Sequence, residues 1–355
     1  MTDPIQDLYI DYLISSFSEV AATDLSAVLD GAVSHDKITR MLSKPAQTSK
    51  DLWKRVKPLV RKIESDEGVL IIDDSISEKP YTDESALNCW HYDHCQNRSV
   101  KGINFLSALY YNQGISLPVG IHLVVKSDYV TDRKTGKRKR KAIFTKNQYC
   151  LSLLNCAKQN NLRFSYVLMD LWFACVQNLK FIVQELNKHF VVPIKTNRKV
   201  ALSKEDKQQG KYQRVDSLQL EENKTYQIWL EGIDFPMLLV KQVFKNEDGS
   251  TGILYLITSD NDLSYERITS LYQKRWAVEC YHKSLKQNAS LEKSPTKNKT
   301  TQTNHFFASL YAYIKLETLK ITTQLNHFAL KNKLYIKAVQ SAFRELRRLQ
   351  NPISA

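Results

Sequence analysis

The sequence lacks any apolar run of the roughly 20 residues that a membrane-spanning helix needs. It also lacks a basic segment leading into an apolar one at its start. "MTDPIQDLYIDYL" carries three acids instead, Asp3, Asp7 and Asp11, so it does not read as a signal peptide. The expectation is an intracellular protein with no membrane role. There is no internal repeat and no long low-complexity tract. A zinc knuckle is lacking too. In "CWHYDHC" Cys89, His91, His94 and Cys95 crowd together, but nothing supplies the second, separated ligand pair that such a site uses. The stretch reads as an ordered loop. The other cysteines (Cys150, Cys156, Cys175 and Cys280) suit a reducing compartment, the first three as small residues of helical patterns. Negative charge is scarce. The 37 acids face 51 lysines and arginines, a net charge of +14 and a pI near 9.3. That surplus favours an anionic partner, nucleic acid first and an anionic membrane surface second.

What is present can build a large core. The chain has 355 residues, 43% hydrophobic and 25% charged, enough for two domains or for one domain with an insertion. Residues 1–65 read as helices only. "DLSAVLDGAVSHDKITRML", with its Gly31 turn, is patterned like a helix-turn-helix and is a candidate reader of DNA ends. From 66 to 195 the texture changes. "GVLIIDDS", "INFLSALYYN" and "LPVGIHLVVK" read as strands, and a basic loop over 132–141 follows. A helix over "KNQYCLSLLNCAKQNN", the strand "FSYVLMD", a helix and the strand "FVVPI" complete this part. Residues 196–262 read as an all-β insertion whose last two strands join across "NEDGS". Residues 263–295 form a further helical stretch, and 296–355 a helical tail. Three strands followed by α/β units predict a ribonuclease H-like mixed sheet, of α+β or α/β class, with a helical head, an all-β insertion and a helical tail.

Two apolar strands end in acids: Asp73 or Asp74 after "VLII", and Asp170 after "YVLM". A strand end is a rigid mount for a side chain. Carboxylates gathered there repel one another unless a cation lies between them, and an oxygen-rich set suits Mg2+ or Mn2+. A single strand-terminal aspartate is more often a turn or helix cap, so the combination carries the argument.

A third acid lies in "YQKRWAVECYHKSLK", residues 272–286. On one continuous helix, with Tyr272 at zero, Arg275 falls at about 300°, Glu279 at about 340° and Lys286 at about 320°. The four share an arc of about 60° on a stripe roughly 21 Å long. Such a row is ordinarily a solvated face. Here it would place Glu279 between two phosphate-binding cations, Arg275 and Lys286.

The pattern Y-x2-R-x3-E-x6-K at Tyr272, Arg275, Glu279 and Lys286 resembles the signature of the family-four branch of bacterial insertion-sequence transposases. The neighbouring "RW" and the E-x-x-H at Glu279 and His282 agree with it, as do "DDS" at 73–75 and the strand ending in Asp170. The resemblance runs from about 68 to 320. It implies a DDE catalytic triad on a ribonuclease H-like core, with Mg2+ or Mn2+ bound by the three acids. By position the triad falls on Asp74, Asp170 and Glu279. Asp74 is preferred because it directly precedes the hydroxyl residue Ser75, and Asp73 stays as the alternative because adjacent strand residues face opposite sides. In a two-metal site the cations activate a water or a 3′-hydroxyl and stabilise the leaving oxygen. The resemblance also implies DNA contacts by Tyr272, Arg275 and Lys286, and an aromatic residue of the insertion that stacks on a flipped base. Trp229 is the candidate for that stack, although a strand tryptophan is more often core.

The basic loop, with Lys137, Arg138, Lys139 and Arg140, is expected to track DNA phosphates. The reading is a cut-and-paste DNA transposase of an insertion sequence. Its partners would be double-stranded DNA at the terminal inverted repeats and at the target, and a second copy in a synaptic dimer. Its location would be the bacterial cytoplasm, at the nucleoid. Two alternatives are an inactive, transposase-derived DNA-binding protein and a ribonuclease H-like nuclease that cuts without joining.

Overall fold

A computed structural model describes residues 3–94, 96–131, 136–245 and 248–350. Cys95, residues 132–135 of the basic stretch, residues 246–247 of the expected hairpin turn and the last five positions lie outside the described residues. In chain order, four helices come first: α1 Pro4–Ser15, α2 Ala22–Val28, α3 His35–Leu42 and α4 Ser49–Ile63. Strands β1 Val69–Glu78, β2 Cys89–Asp93, β3 Arg98–Asn112 and β4 Ile115–Leu123 follow, then a short pair, β5 Asp128–Thr131 and β6 Arg138–Lys141. After α5 Lys146–Gln159 and β7 Tyr166–Met169 comes α6 Val176–Lys180, which runs into one wider turn over Phe181–Glu185 before β8 His189–Pro193. The next stretch holds β9 Lys199–Ala201, α7 Lys204–Gln208, β10 Gln213–Arg214, β11 Thr225–Leu230, β12 Met237–Lys245 and β13 Thr251–Thr258. The chain ends with α8 Tyr265–Gln273, α9 Trp276–Gln287, α10 Lys299–Thr323 and α11 His327–Gln350.

These elements form two compact units. One comprises residues 1–54, 76–104 and 280–355, and the other residues 55–75 and 105–279.

The second unit is built on a mixed sheet. From one edge the strands run β4, β3, β1, β7, β8, and continue through β13, β12, β11, β9 and β10. The pairs β1–β7 and β7–β8 are parallel, with Ile72 opposite Met169 and Leu168 opposite Val191. Strands of this kind are covered on both faces, which explains their continuous apolar runs. Val69–Ile72, Val167–Met169 and Phe190–Val192 are all buried. Helix α5 covers the sheet with Cys150, Leu153, Leu154 and Ala157, a helical spacing that makes one apolar stripe. Its start is fixed by a reciprocal cap: the Gln148 amide N–H donates to Thr145 Oγ1 (3.2 Å) and the Thr145 N–H to Gln148 Oε1 (2.8 Å). This is the ribonuclease H-like mixed sheet expected from the strand order, with helices at both ends of the chain.

Four local readings need correction. Residues 272–286 do not form one helix: α8 stops at Gln273 and α9 starts at Trp276, with a turn at Lys274–Arg275 between them. The row of four on a continuous helix is therefore broken after Tyr272. The basic stretch is not a loop throughout, because Arg138–Lys141 is a strand paired with Asp128–Thr131. The "CWHYD" part of the cysteine–histidine stretch is strand β2, in which Cys89 and His91 are buried and Trp90 and Tyr92 exposed. The insertion holds one short helix, α7, beside its strands. It is also no separate layer: β13 pairs antiparallel with β8, so the insertion extends the central sheet.

The first unit is helical apart from its strand segments. Helix α10 is buried on nearly all sides from Thr301 to Glu317, and Asn304 and His305 on it find polar partners inside. Asn304 Nδ2 donates to the carbonyls of Leu42 (2.9 Å) and Lys44 (2.8 Å), while its Oδ1 accepts from the Gln47 N–H (2.9 Å). This closes the open carbonyl end of α3. His305 is fully buried. Its Nδ1 lies 2.9 Å from Tyr9 Oη, and its Nε2 lies 3.1 and 3.2 Å from the carbonyls of Ser290 and Leu291. One neutral imidazole thus accepts from α1 and donates to the 290–291 turn. Gly31 (φ +76°) makes the turn between α2 and α3, in the left-handed region that glycine enters without strain.

Candidate active site

Asp73 and Asp74 do not end a strand as expected but lie midway along β1, whereas Asp170 directly follows β7; all three belong to the second unit, as does Glu279 on α9. The parallel register decides which aspartate of the tandem faces Asp170. Ile72 stands opposite Met169, so the next step along each strand sets Asp73 beside Asp170. Side chains at paired positions share a face, and neighbouring strands lie about 4.8 Å apart. Asp74 points to the other side, where its Oδ2 meets Lys146 Nζ at the start of α5 (2.7 Å).

Asp73 is buried. Its Oδ1 accepts from the Asp74 N–H (2.9 Å), and its Oδ2 lies 3.3 Å from Arg275 Nη1. The same guanidinium nitrogen lies 3.2 Å from Glu279 Oε1. One arginine therefore bridges two carboxylates. Burial pushes the Asp73 carboxyl up to about 7; the charge of Arg275 works against the rise, while Glu279 and Asp74 add to it. Asp170 sits at the end of β7, where its Oδ1 accepts from the Leu171 N–H (2.6 Å). Its charge also acts on Tyr272 and Arg275. Tyr272 lies under the same guanidinium, with Arg275 Cζ 5.8 Å from its ring centre, and burial pushes its hydroxyl up to about 12.

The break between α8 and α9 has a physical role here. The turn at Lys274–Arg275 sends the guanidinium to Asp73 and Glu279 together. Glu279 stays half-exposed, with 42% of its side chain accessible, at the rim of the cluster.

The structure thus brings together Asp73, Glu279, Arg275 and Tyr272, with Asp170 alongside in register. It does not bring in the other expected residues in the same way. Asp74 faces Lys146. Lys286 is held in the first unit, donating to the Ile76 carbonyl (2.7 Å) and pairing with Glu292 (3.3 Å). Trp229 is half-buried on β11, level with Ala201 of β9. Lys137, Arg138, Lys139 and Arg140 lie on or beside the β5–β6 ribbon. Sequence reasoning gave no role to Trp172 and Trp276. Trp172, two residues after Asp170, is 51% exposed and carries Lys195 Nζ over its ring at 4.7 Å. Trp276, next to Arg275, is 68% exposed. The usable signal was position, since each follows closely on a site residue.

Two carboxylates that converge on one positive group form a donor set that suits a divalent cation. Asp73 and Glu279 offer oxygens within 4.8 Å of each other. The residues present fit a metal of the hard, oxygen-seeking kind.

The family model described as DDE superfamily endonuclease matches residues 6–227, more than half of the chain. The chain therefore belongs to the DDE superfamily endonucleases, a family whose catalytic domains use divalent metals. The matched stretch contains Asp73, Asp74 and Asp170, whereas Glu279 lies beyond it. No curated protein matches the chain. No described helix is long and apolar enough to cross a membrane.

Proposed function

We propose that the chain is a DNA transposase of an insertion sequence, of the family-four branch that the Y-R-E-K pattern resembles. It would cleave element ends and join the freed 3′-hydroxyl to target DNA by a cut-and-paste route. The observation that carries the reading is the Asp73–Arg275–Glu279 cluster with Asp170 beside it on the neighbouring parallel strand. We assign the triad to Asp73, Asp170 and Glu279, moving the first acid from Asp74 because the register turns Asp74 away.

Mg2+ or Mn2+ held by these carboxylates would supply activation of the attacking hydroxyl and neutralisation of charge at the leaving oxygen. The chain's own groups do the rest. Asp73 and Asp170 are fixed by strand backbone and need no rearrangement to bind. Arg275, once its carboxylates are engaged, presents its fork of N–H donors to a phosphate of the DNA. Tyr272 supports that guanidinium from beneath. Exposed Trp172 and Trp276 offer flat faces for unstacked bases, the role first assigned to Trp229. The partners are duplex DNA at element ends and target, with two copies in the synaptic complex. The site of action is the bacterial nucleoid. The helical residues 1–65 are the candidate end reader.

The experiment incubates the protein with DNA carrying the flanks of its own gene, with and without Mg2+. Wild type is compared with Glu279→Gln, Asp73→Asn and Asp74→Asn. Metal-dependent cuts at both flanks with joined products, lost in Glu279→Gln and Asp73→Asn and kept in Asp74→Asn, are expected. Cuts without joined products would replace the reading by a nuclease that does not transfer strands. Binding without cleavage would leave an inactive DNA binder. Loss in Asp74→Asn with activity in Asp73→Asn would return the first acid to Asp74.

A further inference from the structure

The β5–β6 ribbon forms a two-stranded sheet of its own, apart from the central one. All four residues of β5 are exposed, as are three of the four in β6. An isolated two-stranded hairpin is marginal in water, so burial does not account for this one. It also carries five consecutive cations, Lys137 to Lys141, whose mutual repulsion opposes its formation.

The register shows what organises it. Tyr129 pairs with Arg140, Val130 with Lys139, Thr131 with Arg138 and Asp128 with Lys141. Paired residues share a face and alternate residues do not. One face therefore holds Tyr129, Thr131, Arg138 and Arg140, and the other holds Asp128, Val130, Lys139 and Lys141. On the first face both guanidinium groups stack on the Tyr129 ring, with Arg138 Cζ 4.1 Å and Arg140 Cζ 4.7 Å from its centre. Arg140 also donates to the Lys126 carbonyl at 3.3 Å. Both arginines are thus held over a half-exposed phenol ring. Lys139 and Lys141 occupy the opposite face.

The geometry points to a ribbon that enters the major groove of duplex DNA with its arginine–tyrosine face towards the base edges. This rests on the reading of the chain as a DNA-acting enzyme and deepens it, because the stretch was expected only to track phosphates. The major groove, about 12 Å wide, admits a two-stranded ribbon, and the minor groove, about 6 Å wide, does not. Stacking pre-orders each guanidinium, so less freedom is lost when its N–H fork meets guanine O6 and N7. Lys139 and Lys141, facing away from the bases, reach the phosphates that flank the groove.

The test measures binding of the full chain, in chelator so that nothing is cut, to a 30-base-pair duplex (about three helical turns) and to the same duplex with 7-deazaguanine for guanine. Three double variants are compared with wild type: Arg138→Lys with Arg140→Lys, Arg138→Ala with Arg140→Ala, and Lys139→Ala with Lys141→Ala. Melting temperatures should stay at the wild-type value, since the ribbon packs in no core. Wild type should bind the ordinary duplex roughly tenfold or more tightly than the deaza duplex. The arginine-to-lysine pair should lose that preference while keeping its salt dependence. The lysine-to-alanine pair should keep the preference and lower the salt slope by about 2. The arginine-to-alanine pair should lose the preference and bind both duplexes more weakly than wild type. Equal wild-type affinity for the two duplexes, or an arginine-to-lysine pair that behaves as wild type, would overturn groove entry and leave phosphate tracking. If wild type binds duplex and all three variants bind as it does, the ribbon is no DNA contact and only this inference falls. If wild type binds no duplex, the inference falls together with the proposed function.

Discussion

Replacing Asp73 by asparagine should make the metal-free protein more stable while it removes activity. The carboxyl stands at about 7 in the fold against an ordinary 3.8. The folded state thus holds its proton more tightly than the unfolded chain. The sign follows: stability is lost as pH rises from 3.8 towards 7, and the loss is complete above that. At 1.36 kcal/mol per unit the difference is about 4 kcal/mol at pH 8. An asparagine there has no charge to desolvate. Its carbonyl can still accept from the Asp74 N–H, and Arg275 keeps Glu279 as a partner. The attraction of Arg275 is already contained in that figure, because it works against the rise, so a gain of up to about 4 kcal/mol is expected. Urea unfolding in EDTA, followed by tryptophan fluorescence at pH 5 and pH 8, measures it. The variant should be the more stable at pH 8 and the advantage should shrink at pH 5. Added Mg2+ should raise the wild type and leave the variant unmoved. Asp74→Asn should show no such gain, since Asp74 has Lys146 as its counter-charge. A variant less stable than wild type at pH 8, or a difference that does not change with pH, would refute the account of a desolvated acid awaiting a cation.

His305 is pushed down to about 3 by burial, with the charge of Lys79 adding to the effect, from an ordinary 6.5. Its contribution to stability is whole above 6.5 and drains as pH falls towards 3; by pH 5 about 2 kcal/mol is gone. His305→Gln keeps a donor and an acceptor but cannot titrate, so its stability should vary less between pH 7 and 5 than that of wild type; identical slopes in denaturant titrations would contradict this. Gly68→Ala should destabilise by about 1–3 kcal/mol, the cost of overpacking a closed core. A Cβ there would lie 2.2 Å from the Tyr110 hydroxyl, which accepts from the Ser65 N–H and is not free to yield; an unchanged melting temperature would show that the ring gives way. Trp276→Ala should leave folding intact, because the ring is exposed, yet weaken binding to DNA with a frayed end by about 1–3 kcal/mol, the worth of one base–aromatic stack; equal affinity in a fluorescence anisotropy titration would remove Trp276 from the interface.

The central strands were legible because burial on both faces leaves an unbroken apolar run, and "VLII" and "YVLM" are such runs. That each ends in an acid was equally plain. Which acid of the tandem faces inward was not, because the face follows from pairing with a strand almost 100 residues away in sequence. The break before Trp276 was hidden for a related reason. No glycine or proline marks it, and the turn is accompanied by the reach of Arg275 to Asp73, a contact remote in sequence. The β5–β6 pairing was missed since a run of lysines and arginines has no apolar period, and its strand character goes with a stack on Tyr129. Strand β2 did show alternation, but its cysteines and histidines drew attention to metal chemistry. That the insertion prolongs the central sheet depends on β13 meeting β8, which no local pattern announces.

The Asp73–Asp74 tandem also bears on how such a site can change over evolutionary time. A strand offers its side chains in strict alternation, so a single inserted or deleted residue upstream would exchange the two faces. With a lone aspartate, that accident would turn the only carboxylate away from Asp170 and end the lineage's chemistry at once. With two in succession, a slip of one residue in the favourable direction sets Asp74 in the place that Asp73 held, and a carboxylate remains on offer. The doubled acid is thus a spare part already mounted in the frame, although at any one moment only one of the pair faces Asp170.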